Sequence, residues 1–161
     1  MGLYLSKLHE LGLTLPAPLK LPPHVKLPFP FVNIRGDRAF VSGHGPQASD
    51  GSISAPFGKV GGNVSLDEAY VLARQTGLSI LASLQRELGD LDRIAAWARV
   101  FGMVNTAPDF DNFPAVINGF SDLILDVFGQ EAGRHARSAI GVAGLPFGIA
   151  VEIEAEVVLK T

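Results

Sequence analysis

Two side chains in the last quarter of the chain have the types and surroundings for chemistry. Arg137 stands in the run His135-Ala136-Arg137-Ser138-Ala139-Ile140-Gly141-Val142, an isolated guanidinium among small and aliphatic residues. A planar guanidinium can grip both oxygens of a carboxylate, and small neighbours leave room for a ligand. Glu152, fifteen residues on, opens the alternation Val151-Glu152-Ile153-Glu154-Ala155-Glu156 and could supply an acid–base group. The alternative is an edge strand with a solvated face, where Arg137 forms a structural ion pair with Glu156.

Other groups are weaker. His44 follows a strand and precedes Gly45-Pro46, so it could line a cleft and move a proton near neutral pH. His9, His24 and His135 have no ligand-like spacing, and no metal site is expected. Lys59 lies in the Gly-rich run Phe57-Gly58-Lys59-Val60-Gly61-Gly62, but the run lacks a phosphate-cradling pattern. Asp109, Asp111 and Asn112 read as helix-capping groups. The chain has no cysteine, which excludes disulfides, zinc–thiolate sites and a thiol nucleophile.

The elements that must position these groups follow from periodicity. Residues 3–12 predict a short amphipathic helix. Six prolines between Pro16 and Pro30 predict an extended arm packed on the domain surface. Phe31–Arg35 and Arg38–Ser42 predict a hairpin around Gly36-Asp37, broken at Gly43. Ser65-Leu66-Asp67-Glu68 is a capping-box pattern that opens a helix over 66–87, closed by Gly89. Ile94–Asn105 predicts a strand. A second long helix begins near Asp109 or Asn112, with Pro114 in its first turn, and ends at Gly129. Arg137–Val142 and Ile149–Leu159 are the final strands, joined near Leu145-Pro146-Phe147-Gly148.

The order is β-β, helix, β, helix, β-β, an α+β layout with a mixed sheet and both long helices on one face. Residues 1–30 supply the helix and arm, and residues 31–161 the rest of a single domain. The other face of the sheet also carries apolar residues, with Val158 and either Trp97 or Val100 expected there. Self-association is the simplest way to cover it. If the turn at Leu145–Gly148 is tight, Arg137 lies opposite Glu156. Arg137 and Glu152 of one chain then stand roughly 13 Å apart along the strand, at about 3.3 Å per residue. A working site would therefore need residues from a neighbouring subunit, with Phe29 or Asn118 as the opposite wall.

Composition bounds the class. The 161 residues are 47% hydrophobic and 18% charged, with a formal charge of −3 and no cluster of Lys and Arg. Nucleic acid needs a concentrated positive surface, so it is not an expected partner. No apolar run approaches the roughly 20 residues of a membrane span, and the N-terminus lacks a signal-peptide pattern, so a cytoplasmic protein is expected.

The order and spacing of several segments carry a resemblance. They are Phe40-Val41-Ser42-Gly43-His44, Phe57-Gly58-Lys59-Val60-Gly61, Val116-Ile117-Asn118-Gly119, Ala136-Arg137-Ser138-Ala139, and Leu145-Pro146 before Val151-Glu152-Ile153-Glu154-Ala155. Together they resemble the Rid/YjgF family of enamine–imine deaminases, also labelled L-PSP endoribonucleases. The N-terminal helix and Val104-Asn105-Thr106-Ala107-Pro108-Asp109-Phe110 are similar to a branch with no known substrate.

The resemblance implies a chorismate-mutase-like α+β fold and a homotrimer with three clefts between subunits. It implies hydrolysis of reactive 2-imino acids to 2-keto acids and ammonia, without metal or organic cofactor. By the same resemblance, Arg137 binds the substrate carboxylate and Glu152 orients water. Asn118 borders the cleft, and Ser42 and Gly43 lie at a strand end near the pocket. The family usually has an uncharged residue at the position of His44, which is expected from its own place in the chain to stand behind them. Ala139 occupies the position of a common cleft cysteine, and Phe29 that of a tyrosine. The alternative functions are a non-catalytic protein that binds or senses a small carboxylate, and a ribonuclease. The acidic balance and the absence of a poised His pair weigh against the latter.

Overall fold

The computed structural model describes residues 2–161. Helix α1 spans Leu3–Glu10 and is followed by the proline-rich arm. Strands β1 (Val32–Arg35) and β2 (Arg38–His44) form the hairpin, with Arg35 opposite Arg38 and Gly36-Asp37 as its two-residue turn. Helix α2 (Leu66–Leu88) precedes β3 (Ile94–Asn105), and α3 (Phe113–Gly133) precedes β4 (Ala136–Val142) and β5 (Val151–Leu159). The sheet order is β1-β2-β5-β3-β4. Only the β3–β4 pair is parallel. The α+β architecture and both long helices match expectation.

Local chemistry sets the helix ends. The Ser65 Oγ accepts from the Glu68 N–H at 3.1 Å, and the Glu68 carboxylate accepts from the Ser65 N–H at 2.8 Å, so the capping box forms. Gly89 closes α2 in the left-handed conformation. Pro114 occupies the first turn of α3, where its missing N–H costs nothing. The Asn112 cap makes no side-chain bond, contrary to the capping role expected of it. Gly129 does not end α3. Its φ of 72° kinks the helix, which resumes and runs to Gly133.

The core lies between the sheet and α2/α3. Val151, Ile153, Ala155, Val157 and Leu159 of β5 are buried, while the residues between them alternate outward. Trp97 and Val100 are also buried, so neither lies on the open face. Trp97 packs edge-on against Phe120 and Phe128 of α3, with ring centroids 5.7 and 5.5 Å apart. An irregularity in the β3–β5 register between Trp97 and Arg99 changes which residues of β3 face inward. Phe40, Phe101, Met103 and Val158 share the outer side with Glu152, Glu154 and Glu156.

Two further expectations fail. Strand β2 does not break at Gly43. It continues to His44 through a register shift after Val41. The final two strands are joined by the Leu145–Gly148 turn but do not pair with each other. Strand β4 pairs in parallel with β3 at the sheet edge, Arg137 beside Val100 and Gly141 beside Val104. The expected placement of Arg137 opposite Glu156 is therefore wrong, and Glu156 pairs with Arg38 instead.

The N-terminal segment is fastened at several points. The backbone N–H groups of Leu3 and Tyr4 donate to the Asp92 carboxylate at 2.6 and 3.0 Å. Tyr4 packs on Phe128 with centroids 4.1 Å apart. In the arm, Ala17 N–H donates to Ser49 O at 2.9 Å and Lys20 N–H to Gly51 O at 3.0 Å. No helix among the described residues is long and apolar enough to cross a membrane.

Helices α2 and α3 meet closely at Gly119, where an added Cβ would overlap the Tyr70 carbonyl. Gly119→Ala gains about 1 kcal/mol of helix propensity. The overlap is with backbone and cannot be relieved by a side-chain rotation, so a net loss of about 1–3 kcal/mol is expected. Urea unfolding measures it, and an unchanged or raised stability would contradict this packing.

Candidate functional site

The predicted site residues fall into two groups within one chain. The first surrounds Arg137. Its Nη1 donates to Asn118 Oδ1 at 2.8 Å and to Ser121 Oγ at 3.1 Å, and its Nη2 donates to Pro114 O at 3.4 Å. All three partners belong to α3, so Arg137 lies on the helix-covered side of the sheet. Ala139 follows two residues later on the same side, partly buried against the core. Gly141 comes next, and an added Cβ there would strike the Phe113 ring at 2.5 Å.

Arg137 has no carboxylate ion-pair partner among the described residues. Burial lowers its pKa from the usual value, against the opposing influence of Asp122. It is a half-buried cation with spare donors, held at the sheet edge by neutral groups. Ser121 carries no signal of its own in the sequence, although it lies one turn beyond Asn118 on the same helix face. His135 has no ligand-like spacing in the sequence, yet it joins this network. Its Nδ1 donates to Gly133 O at 2.8 Å, since a carbonyl can only accept, so Nε2 accepts from the Ser121 hydroxyl at 3.0 Å. Ser121 Oγ is thus free to accept from Arg137.

The second group surrounds Glu152. Register pairs Glu152 with Met103, whereas Arg137 aligns with Val100 and Ala155 on the helix side. With a period of two, Glu152 points to the opposite face. Glu152 is half-buried, and its pKa is raised first by desolvation and then by Glu154. An added Cβ on Gly43 would lie 3.0 Å from the Glu152 carboxyl, so a larger residue there would push that carboxyl aside by a few tenths of an ångström.

Gly43, His44, Phe29 and Glu152 all line one cavity of about 170 Å³. Ser42 stands beside it and ties down the arm, its Oγ donating to Pro30 O at 2.8 Å. Asn118 bonds Arg137 of its own chain directly. Phe29 lies with the Glu152 group.

His44 repeats the arrangement of His135. Its Nδ1 donates to Ser42 O at 2.6 Å and its Nε2 accepts from Ser83 Oγ at 2.8 Å, while Arg86 Nη2 donates to the same Ser83 Oγ at 3.1 Å. Burial, reinforced by the Arg86 cation, brings the His44 pKa down from 6.5 to about 4. Both ring nitrogens are engaged and the ring is neutral near pH 7, so His44 is a fixed wall and has no free proton to exchange. Lys59 is likewise engaged, donating to Asn105 Oδ1 at 3.0 Å and to Ala143 O.

Comparison with known proteins agrees with this fold. Residues 19–151 match the family model described as "YjgF/chorismate_mutase-like, putative endoribonuclease". The chain belongs to this YjgF/chorismate-mutase-like family. It is 43% identical over 125 residues to Protein TCP17 of Trypanosoma cruzi, covering 78% of this chain and 77% of that one. The protein Atu1372 of Agrobacterium tumefaciens, a structure of unknown function, is 38% identical. It superposes with a TM-score of 0.85 over 98% of this chain and 94% of its own. The YjgF gene product of E. coli is 21% identical with a TM-score of 0.60, over 91% and 96% of the two chains, and shares the fold.

The His44 pKa carries a stability prediction. Its folded value lies below the unfolded one, so the unfolded chain takes up the proton first as pH falls. Wild-type protein therefore loses stability from about pH 6.5 to about pH 4, by up to about 3 kcal/mol from this group. His44→Gln removes that component. The stability gap between variant and wild type should narrow on acidification, and parallel profiles in urea unfolding would contradict it.

Proposed function

We propose that the chain is a hydrolytic deaminase of 2-imino and 2-enamino acids, yielding 2-keto acids and ammonia, in clefts between subunits of a homotrimer. The observation that carries this reading is Arg137 itself. It is a half-buried guanidinium without a carboxylate partner, aimed by Asn118 and Ser121 from a small-residue strand. Such a group suits the carboxylate of a small ligand.

Glu152 supplies the complementary chemistry. Desolvation keeps its proton bound closer to neutral pH than an ordinary carboxyl would. In the proposed reaction it first protonates the imine nitrogen. Water then adds to the activated carbon and gives its proton to the Glu152 carboxylate, forming a carbinolamine. Glu152 returns that proton to the amino group, the C–N bond breaks and ammonia leaves. The hydroxyl proton passes to Glu152, restoring it, and the carbinolamine carbon becomes the keto carbon. Positioning and proton transfer suffice because an imine carbon is already electrophilic.

The two groups face opposite sides of the sheet in one chain, which argues for a shared site. The open face supports assembly. It carries Phe40 at 42% exposure and a groove of about 470 Å³ floored by Phe101, Arg99 and Glu154. A second copy packed there would cover apolar surface and could bring its Arg137 edge towards Glu152.

The test uses freshly generated imino acids. Wild-type protein should hydrolyse them. Glu152→Gln should bind keto acids normally but lose about 10²–10⁴-fold in turnover. Arg137→Lys should lose both, because an ammonium lacks the planar fork. Keto-acid binding by wild-type protein without any turnover would leave a carboxylate-binding protein and refute the deaminase reading.

A further inference from the structure

The cavity beside Glu152 is built on one side by the proline-rich arm, and the arm decides what fits. Leu19, Leu21, Leu27 and Phe29 of the arm line it, with Phe31 and Phe147 from the body of the domain. The arm is fixed in place. Arg86 Nη1 donates to Pro16 O at 3.3 Å, Lys20 N–H bonds Gly51 O, and Ser42 holds Pro30 at the other end. The neutral His44 ring packs 5.0 Å from Phe31, and it presents no charge to the interior.

Phe147 is a second, independent sign. It is the one non-glycine residue with positive φ among those described, at 59°, and it lines the cavity while staying 56% exposed. A bulky residue in the left-handed region is strained, and asparagine or glycine would adopt it more easily. Strain spent on an aromatic side chain that the core does not bury points to a contact made with something else.

We infer that this cavity receives the side chain of the substrate, and that the substrate class is imino acids with a branched or single-ring apolar side chain. The inference rests on the deaminase reading for its reaction, while the cavity's preference is independent of it. The volume of about 170 Å³ sets the size. A cavity of about 150 Å³ lined by apolar side chains accommodates benzene. An isobutyl or phenyl group therefore fits, and a methyl group leaves most of the space unfilled. Glu152 at the cavity wall is then next to the carbon that bears this side chain. Arg86 is the other charged lining residue, and two of its five N–H donors go to Pro16 O and Ser83 Oγ.

The test compares imino acids generated by amino-acid oxidases from leucine, alanine and glutamate. Wild-type kcat/KM should favour the leucine-derived substrate over the alanine-derived one by tenfold or more. Phe147→Asn relieves the strain, so it should fold at least as stably and lose most of that preference. Leu21→Ser should lower the same ratio from the arm side. Equal rates on leucine- and alanine-derived substrates would overturn the inference. So would a preference for the glutamate-derived one, which would give Arg86 the side-chain role. If no imino acid is hydrolysed, the deaminase reading fails. The cavity is then judged by whether the keto acid of leucine, and not pyruvate, raises the Tm of wild type but not of Phe147→Asn. Equal shifts would overturn it.

Discussion

A pleated sheet has two faces, and the parallel pairing of β4 with β3 commits Arg137 to the face that α3 covers. Strand β5 lies on the other side of β3 and turns Glu152 to the open face. Everything in the proposed chemistry follows from that separation. The guanidinium can be aimed by α3 through Asn118 and Ser121 without neutralisation by the three glutamates of β5. Had β4 formed a hairpin with β5, Arg137 would have faced Glu156 as an ordinary surface pair.

The two histidines serve this arrangement without taking part in it. His135 and His44 each donate from Nδ1 to a carbonyl two residues earlier and accept at Nε2 from a helix serine. Each of those serines accepts from an arginine. Neutral imidazoles with both nitrogens engaged are rigid props. One prop stands behind Arg137, and the other stands behind the cavity wall next to Glu152. The two halves of the proposed site are thus stiffened by the same device, at the end of β2 and just before β4.

The repeating elements were legible because their signals are local. The capping box at Ser65, the hairpin turn at Gly36-Asp37 and the alternation through Val151–Leu159 each state their structure within a few residues. The identities of Arg137 and Glu152 as unusual groups were equally local. Pairing was not. Whether β4 joins β3 or β5 depends on the long-range path after α3, and the short turn at Leu145–Gly148 suggested a hairpin that does not form. The displacement of Trp97 and Val100 to the core has the same origin, since an irregularity inside β3 is invisible to a strict period of two. Ser121, Ser83 and Arg86 have ordinary sequence surroundings, and only the packing of α2 and α3 against strand ends gives them a place in the site. Phe147 stands out by its left-handed backbone, which no local residue pattern signals.

The central claim is that one working site takes Arg137 from one copy and Glu152 from another. Co-expression of differently tagged Arg137→Ala and Glu152→Gln chains, with purification of the mixed assemblies, tests it most directly. Each homogeneous variant should be inactive on imino acids. A mixed trimer should contain one cleft with both native residues and should recover turnover in proportion. Mixed assemblies as inactive as the two parents would contradict a shared site, and a stable monomer that hydrolyses imino acids would contradict it outright.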